Sequence, residues 1–222
     1  MPEFAGHKIT RKEESARHAY RRALVKAVRQ AAKGSGWKCS GGMLFRERNG
    51  WFFDAYPAVT IFWRETRTSL HVKPMAIDPI FWDLVNMPEN RNQSLSFRGL
   101  GAWVCRAPAV EEATIDEFEM NPQAAADEFV RWTTETSDRI LKTLTLKNFA
   151  KLVDGVQRPG PFNPFLATKI VTKILMDQPE EARQLSVEAL RAGDLGGFTS
   201  EGSLPEMALR WLDAQQASRV LH

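Results

Sequence analysis

Met43-Leu44-Phe45-Arg46-Glu47-Arg48-Asn49-Gly50-Trp51-Phe52-Phe53-Asp54-Ala55-Tyr56 holds the strongest local signal in the chain, an Asn-Gly pair between two apolar-rich runs. Asn-Gly is the favoured pair for a two-residue hairpin turn, because both central positions need a positive φ there. Residues 43–48 and 51–56 therefore read as paired antiparallel strands. The turn sets the register, with Arg48 opposite Trp51 and Arg46 opposite Phe53. Side chains alternate along a strand, so these four share one face, with Leu44 and Ala55 beyond them. The other face takes Met43, Phe45, Phe52 and Tyr56, together with Glu47 and Asp54.

Outward from the hairpin, strand patterns continue. Val59, Ile61 and Trp63 alternate with Thr60 and Arg64 over 58–66, and 69–73 reads as a fourth strand. Asp78-Pro79 opens a short helix to about residue 86, with Asp78 as N-cap and Pro79 at the first position. Two further strands are expected at 95–98 and 102–106. On the N-terminal side, 10–33 reads as a helix. Thr10 and Glu13 have capping-box spacing, and Ala16, Tyr20, Ala23, Leu24, Ala27, Val28 and Ala31 form an apolar stripe. Its other face is assigned Arg11, Lys12, Arg17, Arg21, Arg22, Lys26, Arg29 and Lys33. Gly34-Ser35-Gly36 ends it.

Beyond Pro108 the composition changes. Residues 110–119 read as an acidic connector, and helices are expected over 121–142, 146–153, 163–176, 179–192 and 203–218. The fold class is therefore α+β: an N-terminal helix and an antiparallel sheet meander, followed by a helical half. The expected domains are 1–110 and 111–222, with the second packed on the first as one unit or standing apart.

The 222 residues are 43% hydrophobic and 26% charged, which suits a globular chain with its own core. The net charge is +3, unevenly placed: residues 1–110 carry +9 and residues 111–222 carry −6. Such polarity points to an acidic partner for the first half or to docking between halves. The first ten residues are too polar for a signal peptide, and no apolar run approaches the ~18 residues of a membrane span. The expected location is the cytoplasm, with no membrane association. Cys39 and Cys105 read as buried small hydrophobes.

No catalytic residues, metal ligands or cofactor are assigned. His7, His18, His71 and His222 lie in no Cys/His cluster with ligand spacing. Ser40-Gly41-Gly42 matches neither a phosphate-binding loop nor a nucleophile elbow. The chain reads as more a binding protein than an enzyme, although an active site assembled from scattered residues stays open. Arg46, Arg48, Trp51, Phe53 and Arg64 are the candidate binding residues. Guanidinium groups among aromatic planes suit an acidic protein loop, or stacking on single-stranded nucleic acid bases. They equally suit a packed sheet, where Arg stems cover rings and the charged heads reach water.

The order of elements over about 11–106 is a basic amphipathic helix, a Gly-containing break, the strand Met43-Leu44-Phe45-Arg46-Glu47-Arg48, then 51–56 and 58–64. It resembles a group of uncharacterised bacterial α+β proteins, some encoded beside polymorphic toxins and thought to act as immunity proteins. The resemblance implies a protein-binding module, an immunity-type inhibitor of a toxin or another acidic protein, and implies no catalytic residue. The other expectation carried forward is an RNA- or single-stranded nucleic-acid-binding protein using the basic, aromatic sheet face.

Overall fold

The computed structural model describes residues 10–60, 65–101, 103–116, 121–156, 163–196, 198–199 and 201–220. Helix α1 (Arg11–Ala31) carries the capping box read from the sequence. Glu13 N–H donates to Thr10 Oγ1, and the Glu13 carboxylate accepts from Thr10 N–H. Strands β1 (Lys38–Ser40), β2 (Met43–Arg48), β3 (Trp51–Thr60), β4 (Glu65–Pro74) and β5 (Ala109–Asp116) follow. They form one five-stranded antiparallel sheet in sequential order, β1-β2-β3-β4-β5. Between β4 and β5 lie α2 (Ile77–Leu84) and the single turn α3 (Phe97–Leu100). Helices α4 (Pro122–Leu141), α5 (Leu146–Gly155), α6 (Leu166–Leu175) and α7 (Pro179–Ala192) come next. A two-residue hairpin, β6 (Phe198–Thr199) and β7 (Gly202–Ser203), then leads into α8 (Leu204–Val220). The fold is α+β.

The turn joining β2 to β3 falls at Asn49 and Gly50, whose φ values are 53° and 80°. Glu47 fastens it by accepting from Gly50 N–H at 2.8 Å. Several local expectations change. Of the strand expected over 58–66, residues 58–60 continue β3 and 65–66 begin β4, while 61–64 lie outside the described residues; Pro57 interrupts the composition without ending the strand. The expected strand at 95–98 gives way to the turn α3, and 103–108 has no regular structure. The connector at 110–119 is largely the edge strand β5, in which Val110, Ala113 and Ile115 are only half-buried. Acidic side chains on an edge strand discourage further pairing, which is why it resembles a linker in composition.

The chain divides into two compact units, each assembled from three separated stretches. One comprises Met1–Arg46, Asp54–Leu70 and Glu111–Arg139; the other comprises Glu47–Phe53, His71–Val110 and Ile140–His222. In the first, α1 buries Arg17, Tyr20, Leu24, Ala27 and Val28, whereas Ala16 and Ala23 are exposed. The buried stripe is thus rotated from the one drawn from the alanines. Helix α4 buries Ala125, Ala126, Phe129, Val130 and Thr133 in the same unit. In the second, Ile77, Phe81 and Trp82 of α2 pack with Phe149, Ile170, Val171, Ala182, Met207 and Leu212 from α5 to α8. Each such aliphatic or aromatic side chain contributes about 1.5–3 kcal/mol on full burial.

Candidate functional site

The structure places the sequence-predicted binding residues in different surroundings. Phe53 is fully buried and Trp51 is half-buried, with its ring meeting Phe149 edge to face at 5.8 Å between centroids. Arg46 is buried as well. Its Nη2 donates to Ser137 Oγ at 2.6 Å and pairs with Asp138, and its guanidinium lies 4.4 Å from the Trp37 ring. It therefore ties β2 to α4 inside the first unit. Arg48 is exposed, and Arg64 lies outside the described residues. The outward-facing patch of two arginines and two rings is corrected to one exposed arginine, one half-buried ring and two buried side chains. A sheet face covered by a helix cannot leave large rings in water, and alternation alone does not say which face is covered.

The deepest ionic cluster was not visible as a motif. Lys73 on β4 and Asp78 on α2 are both fully buried. Lys73 Nζ donates to Asp78 Oδ1 at 2.8 Å, to Arg98 O at 2.8 Å and to Cys105 O at 2.7 Å. Asp78 also accepts from Arg98 Nη1 at 3.0 Å and from Cys105 N–H at 2.9 Å. Arg98 caps Met75 O and lies 5.2 Å from the Trp82 ring. Asp78 is thus no N-cap: three donors from distant segments claim its carboxylate, and Ala76 precedes α2 without a side-chain cap. All three ammonium protons are used, so Lys73 has none left for a substrate. Burial, then the Asp78 carboxylate beside it, pushes the Cys105 thiol well above its ordinary value, which leaves it a poor nucleophile. This network clamps α3 and residues 103–105 onto α2 and β4. Among the described residues no group of three or more His, Cys, Asp or Glu side chains converges as a metal site would require.

Basic groups gather instead on the exposed side of α1. Arg11, Lys12, Arg22, Lys26, Arg29 and Lys33 are exposed and form no ion pair with a described carboxylate. Glu13 is committed to the cap, and Glu14 lies 3.9 Å from His18. Arg21 Nη2 donates to the Tyr56 hydroxyl at 3.0 Å. The 21-residue helix spans about 30 Å at 1.5 Å per residue. Arg22, Lys26, Arg29 and Lys33 follow one another at intervals of three or four residues, so their charges fall along one side of the helix.

No family model, curated protein or solved structure matches the chain. Arg17 departs from the exposed face assigned to it. It is buried, and its Nη1 has no hydrogen-bond partner. The sequence held the signal, since Arg17, Tyr20, Leu24 and Val28 follow helical spacing along one face. Among the described residues no helix is long and apolar enough to cross a membrane.

Proposed function

We propose that this chain is a non-enzymatic protein-binding module that engages an acidic protein through the exposed cationic side of α1. One observation carries the proposal: Arg11, Lys12, Arg22, Lys26, Arg29 and Lys33, on and just after α1, are exposed and ion-paired with no described carboxylate. Unpaired like charges repel one another and lower the stability of the folded chain, so an oppositely charged partner relieves a cost already present. Complementary charge gives such a module fast association and discrimination against wrong partners. The immunity-type role implied by the bacterial resemblance is this reading with a toxin as the acidic partner. A cytoplasmic location belongs to the same proposal.

Single-stranded nucleic acid is the competing ligand. It needs exposed rings on which bases stack, and Phe45, Phe52 and Phe53 are buried. The protein partner is therefore favoured.

The test is reconstitution with a purified partner after capture from the native host. Lys26→Glu with Arg29→Glu is expected to weaken that binary complex at least tenfold, about 1.4 kcal/mol. Unchanged affinity in the double variant overturns the proposal. So does tight oligonucleotide binding with a steep loss on added salt.

A further inference from the structure

On α1, His18, Arg21, Arg22 and Val25 are spaced i, i+3, i+4 and i+7, which puts them on one face of the helix. Together with Gly41 of the β1–β2 turn and Tyr56 of β3 they line a shallow cleft of about 390 Å³. Val25 supplies an apolar floor. The turn comes so close that a Cβ on Gly42, at φ +89°, would sit 3.0 Å from Val25 Cγ2. A Cβ on Gly41 would meet nothing within 4 Å, so the rim stays open there. No carboxylate lines the cleft.

We propose that this cleft is an oxyanion subsite for a phosphate monoester carried on a protein side chain. The inference rests on the acidic-partner reading and specifies the anion that the α1 face would receive. Two guanidinium groups, an imidazole and a phenol line it, with the Glu14 carboxylate 3.9 Å from the His18 imidazole. Tyr56 accepts from Arg21 at 3.0 Å, which orients the phenol and leaves its own proton for a ligand oxygen. A carboxylate offers one charge and two oxygens to this set. A phosphate monoester offers nearly two charges and three oxygens, which suits forked guanidinium donors better. The cleft also exceeds the anion in size, and the Val25 floor and the Tyr56 ring give an attached aromatic or aliphatic group a surface to cover.

Phenyl phosphate is the probe, titrated into the full chain and followed by NMR at the His18 imidazole and the Tyr56 ring. Saturable shifts at both residues are expected, with phenyl phosphate binding at least tenfold tighter than benzoate. Arg22→Gln is expected to weaken binding at least tenfold and Tyr56→Phe several-fold. Lys147→Gln, which removes one exposed charge from α5, is expected to bind like the parent chain. Parity between phenyl phosphate and benzoate overturns the subsite, as does equal weakening by Arg22→Gln and Lys147→Gln. Inorganic phosphate separates the sources: binding as tight as phenyl phosphate marks a site for the free ion and overturns the side-chain assignment. If the titration fails while Lys26→Glu with Arg29→Glu still disrupts the reconstituted complex, the subsite alone is lost. If the titration succeeds and that double variant leaves the complex intact, the acidic-partner reading is lost.

Discussion

Replacing Asp78 by alanine removes the only carboxylate bonded to Lys73 among the described residues. The carboxylate receives three donors, Lys73 Nζ, Arg98 Nη1 and Cys105 N–H, at 2.8, 3.0 and 2.9 Å. Hydrogen bonds to a charged group contribute about 1.5–3 kcal/mol each, but the substitution also releases the carboxylate from its own desolvation. The larger effect is on what remains. The Lys73 ammonium keeps two carbonyl acceptors, Arg98 O and Cys105 O, and loses its counter-charge at a position without solvent. Breaking a buried pair in this way costs about 3–5 kcal/mol, a large share of the stability of a domain. Lys73→Met alone costs less, because Asp78 retains Arg98 and the Cys105 amide. The double variant then falls short of the sum of the singles by about 2 kcal/mol, within the range of contact-coupled sites. Urea unfolding followed by tryptophan fluorescence reads this directly, since Trp82 lies against the Arg98 guanidinium. Hydrogen exchange at the Cys105 amide reports the local part. A loss below about 0.5 kcal/mol for Asp78→Ala, with additive singles, would refute the view that this network holds α3 and residues 103–105.

Two further outcomes follow from local geometry. Gly50→Ala meets no neighbour within 4 Å, so its cost comes from φ +80° alone, about 1–2 kcal/mol; an unchanged thermal midpoint contradicts that conformation. The Ser203 N–H, then its hydroxyl, holds the Glu206 carboxyl below its ordinary value at the start of α8. A carboxyl lowered in the folded state stabilises it above the unfolded value, about 4.3, and that contribution is lost as pH falls through the folded value. NMR titration is expected to place the Glu206 midpoint below that of an unfolded peptide, and Glu206→Gln to flatten the acid limb of stability. A midpoint at or above the peptide value refutes the contact.

What the sequence made legible was local. Thr10 with Glu13 and Asn49-Gly50 each involve partners within three residues, and each is present. Helical spacing located α4 through α8 for the same reason. Features set by distant segments stayed hidden. Asp78 looks like a cap until Lys73, Arg98 and Cys105 claim it across as many as 27 residues. The hairpin alternation is silent on which face another element covers, so Arg46 and Phe53 looked available. Residues 110–115 carry enough acid to look like a linker, and only pairing with β4 makes them strand.

The interleaving of the two units bears on how the chain comes to be folded during synthesis. The unit containing α1 receives its final stretch at Arg139, while the other still awaits everything from Ile140 onward. Growth from the N-terminus therefore lets the first consolidate while Glu47–Phe53 and His71–Val110 wait, with Phe81 and Trp82 lacking the helices that later cover them. Those waiting rings are the most vulnerable point in the life of the protein, and shortening the chain from its C-terminal end would make that passing state permanent.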